Sequence, residues 1–246
     1  MSTTRSEPGA PDSAGFAATR WTVVLAAADQ RDAPAAADAL AELCRTYWYP
    51  LYAFIRRRGY ESHAAEDLTQ EFFARLLDKR LLAGADREKG KFRAFLLAAV
   101  KNFLANEWDR SRAQKRGGGR AVVAWDALSA EARYQLEPAH ELTPERLFER
   151  RWALGLLDQV LARLQDEFDE GGKARLFDAL KGTLAGGMIE TYAAIADRLG
   201  ISEVAVKVAV HRLRRRYREL LRAEIAHTVA DPAEIDEEIR HLLNCL

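Results

Sequence analysis

The chain has 246 residues, of which 48% are hydrophobic and 30% are charged, and its formal net charge is zero. This composition is that of a folded, helix-rich protein. No stretch approaches the roughly 18 apolar residues of a membrane helix, so we expect no membrane insertion. The two cysteines, Cys44 and Cys245, lie too far apart for a metal-ligand motif, and we expect neither a metal nor a cofactor.

Although the formal net charge is zero, basic and acidic residues are concentrated in different regions of the chain. Seven basic residues and one acid lie in 207–222, whereas the chain from residue 224 onward is acidic. A second basic cluster lies in 101–120, and acidic residues gather in 61–71. Two positive surfaces and one acidic surface indicate several partners.

The chain is predicted to begin with a disordered tail over 1–20, which has no apolar block of the signal-peptide type and indicates a cytoplasmic protein. Helices are predicted next, one over Ala35–Tyr47 and a second that ends at Gly59. A further helix over Ala64–Lys79 has an apolar stripe at four-residue steps. Its other side carries polar residues, namely Glu66, Asp67, Gln70 and Glu71.

A long helix is predicted from Lys91 to about Gln114, with a buried face that includes Leu96 and Phe103. The opposite stripe carries Lys101, Ala105, Trp108 and Arg112. A tryptophan on an exposed basic stripe suits stacking on unpaired bases. The alternative is that Trp108 packs beneath the segment that follows.

Three glycines, 117–119, end this helix, and we predict a flexible linker over 117–143 because no hydrophobic period is sustained there. A new helix is predicted to begin at Pro144 with Thr143 as its N-cap. It is expected to end near Phe168.

The predicted fold class is therefore all-α, with two small helical domains joined by the linker. The first domain covers 21–116 and the second 144–223, and an acidic extension follows over 224–246. This extension either folds back on the basic helix or the first domain and weakens DNA binding, or completes the core of the second domain.

The stretch YAAIADRLGISEVAVKVAVHRLRRR, residues 192–216, indicates a helix–turn–helix. Gly200 permits the tight turn, Ile201 is expected to fill it, and Ser202 is expected to cap the second helix. Core residues recur at four- and three-residue steps, namely Val206, Val210, Leu213 and Tyr217. The opposite face is basic and suits a DNA groove. The alternative is a helical hairpin with a solvated basic face.

Three motifs in order resemble bacterial RNA polymerase sigma factors of the extracytoplasmic-function (group 4, sigma-70 family) type. ESHAAEDLTQEFFARLL resembles the region 2 motif, and KFRAFLLAAVKNFLANEWDRSRAQKR is similar to the helix that opens and reads the minus-10 element. The helix–turn–helix is similar to region 4, which reads the minus-35 element. The resemblance covers about 21–223 and implies an alternative sigma factor that is not itself an enzyme.

The resemblance also implies partners and contact residues. The partners would be core RNA polymerase, through its β′ clamp coiled coil and β subunit, and promoter DNA, with an anti-sigma factor or a Ser/Thr kinase as further candidates. The implied core-polymerase contacts are Glu66, Asp67, Gln70 and Glu71. The implied minus-10 contacts are Lys101, Asn102, Trp108 and Arg112. The implied minus-35 contacts are Ser202, Glu203, Lys207, His211, Arg212, Arg214 and Arg215.

The sequence departs from the family pattern at Thr69 and at the pair Val208 and Ala209. Thr69 stands where an aliphatic residue is common and is a candidate phosphorylation site at the polymerase contact. Val208 and Ala209 follow Lys207 where many members carry Ser-Arg, so we expect this helix to rely more on phosphate contacts.

Two other classes of function compete with a sigma factor. A helix–turn–helix regulator that binds operators alone would need a dimer surface and a more basic total charge, and neither is evident. An enzyme is disfavoured because the sequence has no phosphate-binding glycine loop, no metal-ligand spacing and no nucleophile motif. The zero net charge suits a protein that polymerase holds on DNA.

Overall fold

The computed structural model describes residues 24, 33–77, 91–113, 127–137, 142–184 and 190–246. The predicted N-terminal tail, 1–20, lies outside the described residues. Over the described residues the regular structure is helical without strands, which confirms the predicted all-α class. No helix in these parts of the chain is both long and apolar enough to cross a membrane.

The helices of the first half are α1 (Ala33–Arg57), α2 (Ser62–Leu77), α3 (Phe92–Ala113) and α4 (Ala127–Gln135). Those of the second half are α5 (Pro144–Glu170), α6 (Ala174–Leu180), α7 (Tyr192–Leu199), α8 (Glu203–Ala226) and α9 (Ile235–Asn244). Short 3-10 turns over Lys181–Thr183 and Pro232–Glu234 follow α6 and precede α9.

The first helix runs through a proline. The sequence predicts a break between Tyr47 and the helix that ends at Gly59, but α1 is continuous and includes Pro50. A proline inside a helix lacks the N–H that would bond the carbonyl four residues earlier. The helix continues because residues on both sides of Pro50, including Tyr47 and Phe54, are completely buried.

The core joins the helices of the first domain to α5, which begins the second. Tyr47 on α1 stacks on Phe148 of α5 with ring centroids 6.3 Å apart, and it meets Phe92 of α3 edge-on at 5.7 Å. Aromatic pairs at such distances add to the stabilisation from burial. The boundaries predicted for the two domains stay predictions, but α1, α3 and α5 share one continuous core.

The segment predicted as a flexible linker differs from that expectation over 127–137, where the chain forms α4 and packs on α1. Glu131 on α4 binds the guanidinium of Arg56 through both of its oxygens, at 2.9 and 3.0 Å. Beyond α4, the hydroxyl of Tyr49 donates to Glu137 at 2.7 Å. These long-range pairs explain a helix that no local hydrophobic period predicts.

The acidic C-terminal extension docks on both predicted halves. Glu238 on α9 is fully buried and pairs with Lys91 and Arg93, which lie just before and within the first turn of α3. Asp236 pairs with Arg222 on α8. Leu242 is completely buried in the core. The extension therefore contributes to the core, as one predicted alternative requires, and it also contacts the first domain and α8. That it weakens DNA binding stays a prediction.

Candidate nucleic-acid and protein interfaces

The outer face of α2 is polar, and its inner face is core. Phe72 and Leu76 are buried, whereas Asp67 and Glu71 are exposed and Glu66 and Gln70 are half-buried. The four predicted polymerase contacts therefore lie on one side of the helix. Within this set, the side-chain amide of Gln70 donates to the carboxylate of Glu66 at 3.2 Å.

Glu71 already has a partner within the chain. Arg75, one turn later, donates to Glu71 and to Glu107 of α3, both at 2.5 Å. The same guanidinium lies 4.7 Å from the centre of the Phe103 ring. An arginine from another protein would therefore bind a Glu71 carboxylate that is already paired with Arg75.

Thr69 does not lie on this polar face. Its side chain is completely buried, and its hydroxyl donates to the carbonyl of Ala65 at 2.6 Å. The predicted phosphorylation site is wrong for the folded protein, because the hydroxyl is both bonded and inaccessible. Thr69 follows Ala65 by four residues and precedes Phe72 by three, so the hydrophobic period itself indicates a core position.

The stripe predicted for minus-10 DNA lies opposite the buried face of α3. Phe92, Leu96 and Phe103 are buried. Asn102 is exposed and Lys101 is half-buried. Arg112 belongs to α3, but its side chain lies outside the described residues.

Trp108 is the prominent feature of the stripe. It is 57% exposed, which agrees with a base-stacking position, and the segment that follows it over 114–126 lies outside the described residues. Together with Arg58, Tyr60 and Leu104 it lines an open groove of about 520 Å³. An accessible indole beside a guanidinium is a surface on which an unpaired base can stack while a phosphate is neutralised.

Lys101 contacts the second domain. Its ammonium lies 2.8 Å from a carboxylate oxygen of Glu145, in the first turn of α5. This bond holds the pKa of the Glu145 carboxyl below its usual value. A predicted DNA contact is thus paired within the chain, at a point where α3 meets α5.

The helix–turn–helix has the predicted local geometry. Thr191 caps α7 and Ser202 caps α8, each hydroxyl accepting from a backbone N–H three residues on at 3.2 Å. Gly200 has φ +67°, a left-handed conformation that suits glycine, and it ends α7. Ile201 was predicted to fill the turn, but it is 40% exposed. The turn is closed instead by its caps and by buried Ile195.

The outer face of α8 carries most of the predicted minus-35 contacts. Exposed side chains on α8 include Glu203, Lys207, His211, Arg212 and Arg215. Ion pairs along the helix include Lys207 with Glu203 at 2.7 Å and Arg215 with Glu219 at 2.9 Å. Ser202 is exposed at the start of α8, with its hydroxyl engaged in the cap.

Arg214 is a correction to the predicted set. It is half-buried, and its guanidinium donates to the carbonyl of Thr183 at 2.9 Å. This bond turns the side chain towards the segment after α6 and away from the exposed face. Arg214 follows the buried Val210 by one helical turn, whereas Arg215 lies on the exposed side of α8, so the helical period also separates the two arginines.

Two valines belong to the exposed face and were not predicted as contacts. Val204 is 69% exposed and Val208 is 44% exposed. They stand four residues apart, with Arg212 four residues further on, so the three form one stripe along α8. Aliphatic side chains can contact the methyl group of thymine in the major groove. Their place on the face opposite Val206 and Val210 was a usable sequence signal.

Comparison with protein families identifies one part of the chain. Residues 43–114, which run from α1 through the predicted end of the α3 segment, match the family model described as Sigma-70 region 2. The matched range ends before the helix–turn–helix. Searches of curated proteins and of solved structures give no match. Residues 43–114 are therefore similar to region 2 of the sigma-70 sigma factors, the proteins that recognise promoters when transcription begins.

Proposed function

We propose that the chain is an alternative sigma factor of the extracytoplasmic-function type, which binds core RNA polymerase and directs it to promoters. In this proposal α2 binds the β′ clamp coiled coil, α3 holds the opened minus-10 element, and α8 reads the minus-35 element. The protein would act in the cytoplasm and would have no catalytic activity of its own.

One observation carries the proposal. In the segment that matches region 2, the acidic outer face of α2 and the exposed Trp108 of α3 are separate surfaces on helices that share one hydrophobic core. Carboxylates on α2 suit a partner rich in arginine, since such pairs form charge-assisted hydrogen bonds. The indole suits a base that has left the duplex. Such a molecule can hold a protein and opened DNA at once.

The helix–turn–helix supports the second DNA contact. Its turn is formed by Gly200 in the left-handed conformation, and α8 presents Lys207, His211 and Arg212 to solvent. In the usual docking of this motif the second helix enters the major groove and flanking basic residues hold phosphates. The exposed Val204 and Val208 would read bases by apolar contact.

The chain's own charge supports dependence on polymerase. The formal net charge is zero, so the free protein lacks the general attraction to phosphates that a stand-alone regulator uses. An anti-sigma factor remains a candidate partner at the same surfaces. A kinase is no longer supported as a partner, because Thr69, the residue proposed for phosphorylation, is buried.

The test mixes the purified chain with bacterial core polymerase and a library of random promoter sequences. We expect sequence-specific transcripts only when both proteins are present. A footprint of the chain alone on selected DNA, without a requirement for core, would indicate a stand-alone regulator and would overturn the proposal.

The contact on α2 is tested by a charge reversal. Asp67→Arg should abolish capture of the chain by core polymerase, because it places a cation against an arginine-rich partner. Asp169→Arg, at the far end of α5, is the matched control and should bind as wild type. Equal binding by both variants would remove α2 from the proposed interface.

A further inference from the structure

Three side chains of metal-binding type meet where α9 packs against α5. Glu149 comes from α5, His241 from the last turn of α9, and Cys245 from the residue that follows α9. Their donor atoms all lie within 4.8 Å of one another. None of the three belongs to the surfaces proposed for polymerase or DNA.

The distances fit a tetrahedral metal site. His241 Nε2 lies 3.2 Å from Glu149 Oε2 and 3.5 Å from Cys245 Sγ. Zinc–ligand bonds are about 2.0–2.3 Å long, which sets neighbouring ligand atoms about 3.3–3.8 Å apart in a tetrahedron. Small side-chain rotations would therefore let all three atoms face one ion.

The surroundings supply access and support. A cavity of about 490 Å³ borders the three side chains, so water can occupy the fourth position of the metal. Arg93 Nε donates to Glu149 Oε2 at 2.8 Å and fixes the carboxylate, as outer-shell partners of metal ligands do. Arg93 is also paired with Glu238, which is completely buried and is shared with Lys91.

We propose that Glu149, His241 and Cys245 bind one divalent transition-metal ion, zinc by preference, and that the ion fastens α9 to α5. A carboxylate and a thiolate neutralise the two charges of the ion. Imidazole and thiolate donors favour zinc-type ions and disfavour Mg²⁺ and Ca²⁺, which take oxygen ligands. Because α9 also contacts α3 through Glu238, a bound ion would hold the C-terminal extension in its docked position.

The full-length chain is purified without chelator, dialysed, and analysed for zinc. We expect one zinc per chain, and with Co²⁺ in its place we expect the absorption bands of tetrahedral thiolate coordination. Zinc at a hundred times its Kd should raise the Tm by about 5–10 °C over the chelated protein. Mg²⁺ should leave the Tm unchanged.

Ligand and control variants decide where the ion binds. Cys245→Ser and His241→Gln should each weaken zinc binding by more than about 100-fold, beyond the loss from an outer-shell change. Cys44→Ser and His227→Ala replace a cysteine and a histidine elsewhere and should bind zinc as wild type. The Tm of each chelated variant, compared with chelated wild type, shows whether the fold is intact.

The proposal is overturned if wild type retains no zinc and shows no cobalt bands. It is equally overturned if Cys44→Ser removes the bands while Cys245→Ser keeps them. Either outcome is independent of polymerase binding, because no residue of α2 or of the exposed face of α8 takes part.

Discussion

The helices α3 and α8 are both proposed to contact promoter DNA, but the chain covers them to different extents. On α3, Lys101 is paired with Glu145 of α5, and Arg93 near its start is only 4% exposed. On α8, the face that carries Lys207 and Arg212 is exposed. The free chain therefore presents its proposed minus-35 reader, while part of its minus-10 reader is tied to the second domain. Binding to polymerase is expected to separate Lys101 from Glu145.

The largest effect is expected at Trp108, the exposed tryptophan of α3. Trp108→Ala should reduce promoter opening by the assembled polymerase up to about 100-fold, because stacking of one base on an aromatic ring contributes about 1–3 kcal/mol. Permanganate reactivity of the minus-10 thymines measures the opening. Trp108→Phe keeps a ring and should retain most of it. If the alanine variant opened promoters like wild type, Trp108 would not stack on a base.

Arg212 and Arg214 of α8 provide the next contrast, because Arg212 is exposed whereas Arg214 is bonded to the carbonyl of Thr183. Arg212→Ala should weaken binding to a minus-35 duplex roughly tenfold, within the range for a side chain that reads a base edge. Fluorescence anisotropy with duplexes from the selected promoters measures the change.

Arg214→Ala is the matched control for that measurement. It should leave specific binding intact and instead lower the free energy of unfolding by about 1 kcal/mol, because the bond to the Thr183 carbonyl is lost. A larger loss of specificity from Arg214→Ala than from Arg212→Ala would reverse the two roles.

The α4 helix, which lies between the two DNA-facing helices in sequence, is tested by pH. Hydrogen bonds from Arg56, with further bonds from Tyr52 and Gln135, lower the pKa of Glu131 from 4.5 to about 2. The pair therefore contributes stability above pH 4.5, and this contribution is lost as pH falls towards 2.

Wild type should be more stable than Glu131→Gln near neutral pH by about 1 kcal/mol, as expected for a partly exposed pair. The difference should shrink as the solution becomes more acidic. Urea unfolding of both proteins at several pH values checks this, and a difference that grew with acidity would have the wrong sign.

The smallest effect is expected at the contact between α3 and α5. Glu145→Gln should raise binding of single-stranded minus-10 DNA by the free chain up to about fivefold, since exposed ion pairs contribute about 0.2–1 kcal/mol. Lys181 and Asp178 form another exposed pair, and Asp178→Asn should not change this binding. No increase with Glu145→Gln would mean that the pair does not limit access to α3.

Local rules predicted the parts of the structure that depend on neighbours in sequence. The caps Thr143, Thr191 and Ser202 and the left-handed Gly200 each act within one turn of the chain, and the sequence analysis identified three of these four correctly. The polar face of α2 was predicted from the four-residue spacing of its apolar residues. Thr69 was misread because a family comparison outweighed that period.

Long-range contacts account for what the sequence analysis missed. The α4 helix depends on Arg56, Arg214 is turned inward by Thr183, and α9 is held by Arg93, all far away in sequence. The proposed metal site has the same cause, because Glu149 and His241 are 92 positions apart. Of this site, the sequence alone shows only that His241 and Cys245 are four residues, or about one helical turn, apart.

The buried pair of Arg93 and Glu238 has a consequence for how the chain folds as it is made. The two residues are 145 positions apart, so a ribosome completes α3 long before α9 exists. Contacts between such distant positions form late, after the local helices and the shorter loops have closed. Among the described residues, the other carboxylate that bonds the Arg93 guanidinium is Glu149, and the guanidinium lies 4.0 Å over the Trp152 ring. We expect nascent chains that end before α9 to bind a chaperone longer than the finished protein does.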